Sequence, residues 1–228
     1  MQRAPLRREA DAYKGTRRAF NKGLGAALAV FGMGVPAVLA AGGGPLIVVL
    51  GDSLSAGFGL ADAQSSFPPR LEAALRNRGI LAQVINAGVS GDTSAAGRSR
   101  LGWSLVPDTS LVIVELGAND ALRAIKPEAT YANLDAILAE LKKRNIPALL
   151  AGMLAPPNLG EEYGAAFRDV YTRLAAAYQV PLYPFFLDGV AAQPQYLQGD
   201  GKHPNELGVE IVVANILPAV IAALGQGT

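Results

Sequence analysis

The stretch PLIVVLGDSLSAG, residues 45–57, decides the fold class, because it joins a short apolar run to a turn rich in glycine and serine. An apolar run of this length that ends in turn residues is typical of a strand buried on both faces. Strands of that kind belong to parallel sheets covered by helices. Residues 45–50 therefore predict the first strand of an α/β protein, and GDSLS predicts a tight turn at its carboxyl end.

The chain beyond this turn alternates short apolar runs with amphipathic stretches. Such alternation is the pattern of a parallel sheet with helices on both faces, and it predicts one domain with five strands. A lone tryptophan on an amphipathic stretch is usually a core residue, so Trp103 is expected to pack inside rather than to line a pocket. The other strands are predicted at residues 81–86, 110–117, 147–153 and 180–186, and the helices at 66–79, 93–105, 127–145, 162–179 and 203–224.

The first 41 residues have the features of an export signal. TRRAFNKG, residues 16–23, carries a pair of arginines, and residues 23–40 form an uncharged apolar stretch rich in glycine. This arrangement resembles a twin-arginine signal, and small residues around Ala41 offer a cleavage site. An uncleaved membrane anchor is the alternative. We therefore predict that residues 1–41 are removed and that residues 42–228 form the mature domain, in the periplasm or outside a bacterial cell.

Composition excludes several classes of function. The chain has 228 residues, half of them apolar, which suffices for one substantial core. It has no cysteine and a single histidine, so neither a disulfide framework nor the usual zinc site is available. Removal of residues 1–41 would leave thirteen basic and seventeen acidic residues, a net charge of −4. A mildly acidic body argues against a nucleic-acid partner, and we expect no membrane insertion once the signal is cleaved.

Four polar clusters are expected at one edge of the sheet. GDSLS follows strand one, NAGVSGDT follows strand two, ELGAND closes strand three, and GDGKHPN precedes the last helix. In an open α/β sheet the loops at the carboxyl ends of the strands share one edge, where ligands bind. The four clusters are therefore predicted to meet in one crevice.

Ser53, His203 and Asp200 are the residue types of a serine hydrolase. A serine hydroxyl becomes an effective nucleophile when a base takes its proton, and imidazole is the usual base. His203 is the only histidine, and Asp200 lies close enough along the chain to bond Nδ1 and leave Nε2 facing the serine. The alternative is a surface turn in which Asp200 bonds local backbone and the histidine is solvated. Asp52 and Asp92 are treated as structural rather than catalytic, because an acid beside a tight turn more often satisfies backbone N–H groups.

Acyl transfer also needs hydrogen-bond donors that face the oxyanion of the tetrahedral intermediate. Ser53 and Gly91 can each offer a backbone N–H group, and Asn119 can offer its side-chain amide. Each residue also has an ordinary structural interpretation. Gly91 is suited to a left-handed turn, and Asn119 is suited to cap a short helix that begins at Asp120.

These motifs resemble the four blocks of the SGNH, or GDSL, hydrolase superfamily, in the family's order. The blocks are GDS at 51–53, the glycine of SGD at 91, the asparagine of GAND at 119 and DxxH at 200–203. Within the superfamily the chain is similar to the bacterial arylesterase and thioesterase I group. The thioesterase I members have glycine where this chain has Ala118.

The resemblance implies a flavodoxin-like three-layer α/β/α sandwich and no metal, and we expect no cofactor. It implies hydrolysis of small-molecule carboxylic esters or thioesters through an acyl-enzyme on the serine. The implied roles are Ser53 as nucleophile, His203 as base, Asp200 as orienting acid, and an oxyanion hole formed by Ser53, Gly91 and Asn119.

The same resemblance indicates where substrate binds. ALRAIKP, residues 121–127, is similar to a flexible lip over an acyl groove, so Ala121 and Leu122 are expected to contact substrate. Leu154 and Pro156, at the end of strand four, are expected to line the same groove. An apolar groove favours medium aliphatic or aryl esters.

Other functions fit the sequence less well. GDSLSAGFG matches neither nucleotide-binding glycine motif, and it has no lysine in the turn. The nucleophile elbow of α/β-hydrolases reads G-x-S-x-G, but Ser55 occupies the last position here. Two alternatives stay open: an O-acetyl esterase acting on polysaccharide or peptidoglycan, and a non-catalytic carbohydrate- or lipid-binding module, since a fold alone does not fix function.

Overall fold

The sheet has five parallel strands, β1 (Leu46–Gly51), β2 (Gln83–Gly88), β3 (Thr109–Glu115), β4 (Ala148–Ala151) and β5 (Leu182–Tyr183). Their order across the sheet is β2-β1-β3-β4-β5, which confirms the predicted fold class. The computed structural model describes residues 43–225, and the predicted export signal lies outside the described residues. β2 and β3 lie on opposite sides of β1, so the strand order reverses between β1 and β3. The boundary between these two strands is therefore the topological switch point of the sheet.

Seven α-helices accompany the sheet within residues 43–225. The second helix packs beside the seventh, while the third packs beside the fifth and the fifth beside the sixth, so helices cover the sheet in two layers. The predicted three-layer sandwich is thereby confirmed. The helices are α1 (Ser53–Ala56), α2 (Phe67–Arg76), α3 (Ser94–Ser104), α4 (Ala118–Leu122), α5 (Pro127–Lys143), α6 (Glu161–Tyr178) and α7 (Glu206–Gly225).

The core lies on both faces of the two central strands. Residues 47–50 of β1 and 111–114 of β3 are fully buried, as expected for strands covered from both sides. Of the described helices, only α7 is long and apolar enough to cross a membrane by length and composition. Its buried residues, among them Val209, Val212 and Ile216, belong to the core, and a core helix meets the same criterion.

Two expectations about the fold were wrong. Trp103 is 93% exposed, so it neither packs in the core nor lines a pocket. The buried residues of α3 include Leu101, and a residue two positions further along a helix lies about 200° around its axis, on the opposite face. The last strand was predicted over residues 180–186 but spans two residues, because Pro181 and Pro184 have no N–H group to donate to a ladder.

Candidate active site

Ser53 is the first residue of α1, two positions beyond the end of β1. Asp52 caps this short helix, and its Oδ1 accepts the N–H of Leu54 at 2.9 Å. Position 51 requires glycine, since a Cβ there would lie 1.8 Å from the Ser55 hydroxyl oxygen. The glycine and acid of GDSLS therefore hold the serine at the carboxyl edge of the sheet.

The structure brings Ser53, His203 and Asp200 together. His203 Nε2 lies 2.8 Å from Ser53 Oγ, although the two residues are 150 positions apart in sequence. His203 Nδ1 lies 2.5 Å from Asp200 Oδ2, while Asp200 Oδ1 accepts the backbone N–H groups of Lys202 and His203 at 2.9 and 3.0 Å. Asp200 thus stabilises the local turn with one carboxylate oxygen and contacts the imidazole with the other. These hydrogen bonds hold the pKa of Asp200 well below its usual range. The contact with the His203 ring is the largest cause, and the two backbone N–H groups come next.

The predicted oxyanion residues Ser53, Gly91 and Asn119 line the same cavity as His203. Within residues 43–225, the backbone N–H groups of Ser53 and Gly91 have no acceptor, so both can donate to a bound oxygen. The Asn119 amide is already engaged: Nδ2 donates to Asp52 Oδ2 and to the carbonyl of Asp92, each at 3.0 Å. Donation to a substrate oxygen would replace one of these bonds.

Asp92 has a structural role, but its partner is not the backbone N–H groups expected beside a turn, because its carboxylate pairs with Arg100 at 2.5 Å. Arg100 also donates to the carbonyls of Ala87, at 2.7 Å, and Gly51, at 2.8 Å. It therefore ties the carboxyl ends of β1 and β2 to the loop that carries Gly91. The sequence held no signal for this role, since the two carbonyls belong to strands that only the fold brings beside α3.

Sequence reasoning also missed a buried pair of acids beneath the nucleophile. Asp52 and Glu115 are both fully buried. Glu115 Oε2 accepts the Ser55 hydroxyl at 2.5 Å and the N–H of Asp52 at 3.3 Å, while Oε1 has no hydrogen-bond partner in the described part of the chain. The available signal was a charge at the end of the apolar run SLVIVE.

The two acids cannot both be charged without a large cost, because each is removed from water. Burial raises the pKa of Glu115 well above its usual value, and the charge of Asp52 adds to the effect. Burial also raises the pKa of Asp52 to about 6, although hydrogen bonds from Leu54 and Asn119 oppose this shift. Burial and the neighbouring charge of Asp52 therefore both favour the protonated form of Glu115.

Glu115→Gln is expected to weaken the dependence of stability on pH. The folded protein keeps the Glu115 proton at pH values where the unfolded chain, with a glutamate pKa of about 4.3, has lost it. The folded state then binds more protons, so this group makes the wild-type free energy of unfolding fall as pH rises above about 4. Glutamine has the shape of the neutral acid and no such proton to lose.

Urea denaturation at several pH values from 5 to 8 measures this effect. The wild type should lose more stability across the range than Glu115→Gln, and the exposed Glu128→Gln should behave like the wild type. Parallel pH profiles for all three proteins would contradict a neutral Glu115.

A cavity of about 1010 Å³ opens beside Ser53 and His203. The four predicted substrate-binding residues, Ala121, Leu122, Leu154 and Pro156, all line it. The first two belong to α4, and the other two belong to the loop after β4; the flexibility of residues 121–127 stays a prediction. The wall also includes large apolar residues that sequence reasoning did not single out, namely Phe58, Met153, Leu159, Phe185, Leu187 and Leu197. No group of three or more potential metal ligands occurs in residues 43–225.

Known proteins are similar to this chain in sequence and in fold. Residues 49–211 match the GDSL-like lipase/acylhydrolase family. The arylesterase of Vibrio mimicus is 40% identical over 159 residues, which are 69% of this chain and 79% of that protein. Thioesterase 1/protease 1/lysophospholipase L1 of Escherichia coli (strain K12) is 41% identical over 160 residues, 70% of this chain and 75% of that protein.

Solved structures give the same result. AlinE4, an esterase of the SGNH-hydrolase family, is 48% identical with a TM-score of 0.68, over 81% of this chain and 98% of that one. TesA is 37% identical with a TM-score of 0.74, over 78% of this chain and 99% of that one. The alternative of a non-catalytic binding module is set aside. The family match spans most of the chain, and the relatives named here are esterases. This chain is therefore a serine esterase that belongs to the GDSL-like lipase/acylhydrolase family.

Proposed function

We propose that Ser53 attacks the ester carbonyl and carries the acyl group, with His203 as general base and Asp200 as the residue that orients the imidazole. The observation that carries this proposal is the unbroken chain of contacts from Asp200 Oδ2 through the His203 ring to Ser53 Oγ. An ionised carboxylate at Nδ1 keeps the proton on that nitrogen and leaves Nε2 free to accept.

The reaction proceeds in two halves. Ser53 Oγ forms a bond to the carbonyl carbon while His203 Nε2 takes the hydroxyl proton, and the imidazolium then donates this proton to the leaving oxygen or sulfur as that bond breaks. Water repeats the sequence on the acyl-enzyme, giving the carboxylic acid and the free serine. The N–H groups of Ser53 and Gly91 and the amide of Asn119 stabilise the oxyanion, and loss of one such donor typically costs about 10²–10³ in kcat.

We further propose that the substrates are carboxylic esters or thioesters with medium aliphatic acyl groups. The support is the apolar lining of the cavity, which includes Leu122, Leu154 and Pro156. Two relatives are named arylesterase and thioesterase 1/protease 1/lysophospholipase L1, which agrees with substrates of this kind. An O-acetyl esterase for sugars would place only a two-carbon acyl group in the same cavity.

A series of p-nitrophenyl esters from acetate to octanoate tests the acyl group. Because each buried methylene contributes about 0.8 kcal/mol, kcat/KM is expected to rise by up to about fourfold per added CH₂ until the cavity is filled. Steady-state kinetics on the mature protein measure this, with acetylated sugars assayed alongside. A maximum at acetate together with good turnover of acetylated sugars would favour the polysaccharide O-acetyl esterase instead.

We also propose that residues 1–41 direct export through a twin-arginine-like signal and are then removed. The arginine pair at 17–18 and the apolar residues 23–40 support this proposal. Replacing both arginines with lysine should leave the uncleaved protein in the cytoplasm, as measured by cell fractionation. Normal export of that variant would contradict the signal type, and a full-length protein in the membrane fraction of wild-type cells would indicate an uncleaved anchor.

A further inference from the structure

Phe58 is an aromatic side chain beside the catalytic imidazole that the mechanism above does not use. Its ring centroid lies 4.7 Å from that of His203, with the two ring planes 41° apart. The residue is 51% exposed and lines the cavity that contains Ser53. One part of the ring therefore covers the imidazole while the rest faces the space open to substrate.

The backbone around Phe58 is held in place from both sides. Gly57 and Gly59 have φ values of 83° and 75°, in the left-handed region that favours glycine. The side chain of Gln198 donates through Nε2 to the carbonyl of Phe58 at 2.7 Å and to that of Pro204, next to the histidine, at 2.9 Å. Gln198 thus joins the turn that carries the phenyl ring to the loop that carries the imidazole.

The position of the ring decides which part of a substrate it meets. In acylation His203 Nε2 gives its proton to the leaving oxygen, so that oxygen must lie within hydrogen-bond distance of Nε2. The group attached to the oxygen then lies beside the imidazole, where the exposed part of Phe58 is found. Two aromatic rings attract each other in offset or edge-to-face arrangements, beyond the gain from burying their area.

We propose that Phe58 determines specificity by binding the leaving group, and that it favours aromatic over non-aromatic leaving groups on the same acyl chain. This proposal rests on the assignment of His203 as the proton donor. The competing explanation is that Phe58 only supports the imidazole ring. The two roles differ in one respect: support of the imidazole affects every ester equally, whereas a leaving-group contact affects only esters whose leaving group can stack.

The test compares phenyl hexanoate with trifluoroethyl hexanoate, which share an acyl group and differ in the leaving group. Phe58→Leu should lower the ratio of kcat/KM for the phenyl ester to kcat/KM for the trifluoroethyl ester by about three- to tenfold relative to wild type. Phe58→Tyr, which keeps the ring, should retain the wild-type ratio. Trp103→Leu removes an exposed aromatic residue outside the cavity and should leave the ratio unchanged.

Equal losses for the two esters, or no loss for the phenyl ester, would overturn the proposal. Labelling with a simple alkyl fluorophosphonate separates this failure from a failure of the proposed mechanism, because the probe releases fluoride and has no aromatic leaving group. If Ser53 is labelled in wild type and in Phe58→Leu, the nucleophile stands and the kinetic comparison judges Phe58 alone. Absence of labelling in the wild type would refute the mechanism itself.

Discussion

Ser53→Ala is expected to abolish ester hydrolysis and labelling by a fluorophosphonate probe. Without the hydroxyl there is no oxygen for His203 to activate, and loss of the nucleophile in a serine hydrolase lowers kcat by about a millionfold. The variant should fold normally, because the Ser53 side chain contacts the imidazole at the edge of the cavity rather than the core. Hydrolysis of p-nitrophenyl hexanoate and gel-based probe labelling measure the two losses.

Ser55 and Ser90 supply the matched controls. Ser90→Ala removes another hydroxyl from the cavity wall and should keep most of the activity and labelling. Ser55→Ala should also keep the nucleophile. The variant protein should be less stable than wild type, because the buried Glu115 loses the hydrogen bond that the Ser55 hydroxyl donates to it. A folded Ser55→Ala protein that lost labelling as completely as Ser53→Ala would overturn the assignment.

Asp200→Asn is expected to lower kcat by up to about 10⁴ while leaving the fold intact. Asparagine can keep the bonds to the Lys202 and His203 N–H groups through its oxygen, but an amide facing Nδ1 favours the tautomer whose proton sits on Nε2. That tautomer cannot accept the Ser53 proton. Kinetics on an alkyl ester measure the loss, and thermal unfolding checks that the variant is folded.

His203→Ala is the companion experiment, and retention of more than a few per cent of wild-type kcat on an alkyl ester would contradict the role of the imidazole. An activated aryl ester such as a p-nitrophenyl ester is a weaker test, since its leaving group needs no proton from the histidine. Activity should also fall on acidification, as a protonated imidazole cannot act as base. Because Asp52 has a pKa of about 6, kinetics alone does not isolate the imidazole, whereas NMR of the single histidine does.

The parts of this fold that depend on short-range physics could be predicted from sequence. Residues 45–50 are apolar without interruption, which is enough to predict a strand buried on both faces. The turn GDSLS, the DxxH segment and the polar ends of the next two strands each have their residue types within a few positions. Topology then requires that such loops share one edge, so Ser53 and His203 could be placed together before their contact was seen.

The interpretations that failed or were missing concern which face of a helix is covered and which distant groups a side chain bonds. Trp103 was expected inside because tryptophan usually is, but the neighbours of α3 decide which of its faces is covered. The partners of the Asn119 amide could not be predicted, since Asp52 and the Asp92 carbonyl accept its N–H groups only in the folded chain. Arg100 bonds carbonyls that belong to two different strands, and no local pattern encodes such a partner.

The sequence by itself determined the order of the main strands and helices along the chain, the turn that presents Ser53, and the residue types of the site. These features could be predicted because backbone preference and hydrophobic periodicity act over a few residues. Only the tertiary structure decided that Glu115 lies buried beside Asp52, where its pKa is raised, and that the Phe58 ring lies against the imidazole of His203. Those features join residues 63 and 145 positions apart. They depend on the removal of these side chains from water and on contacts between distant segments. Both conditions arise only when the core forms.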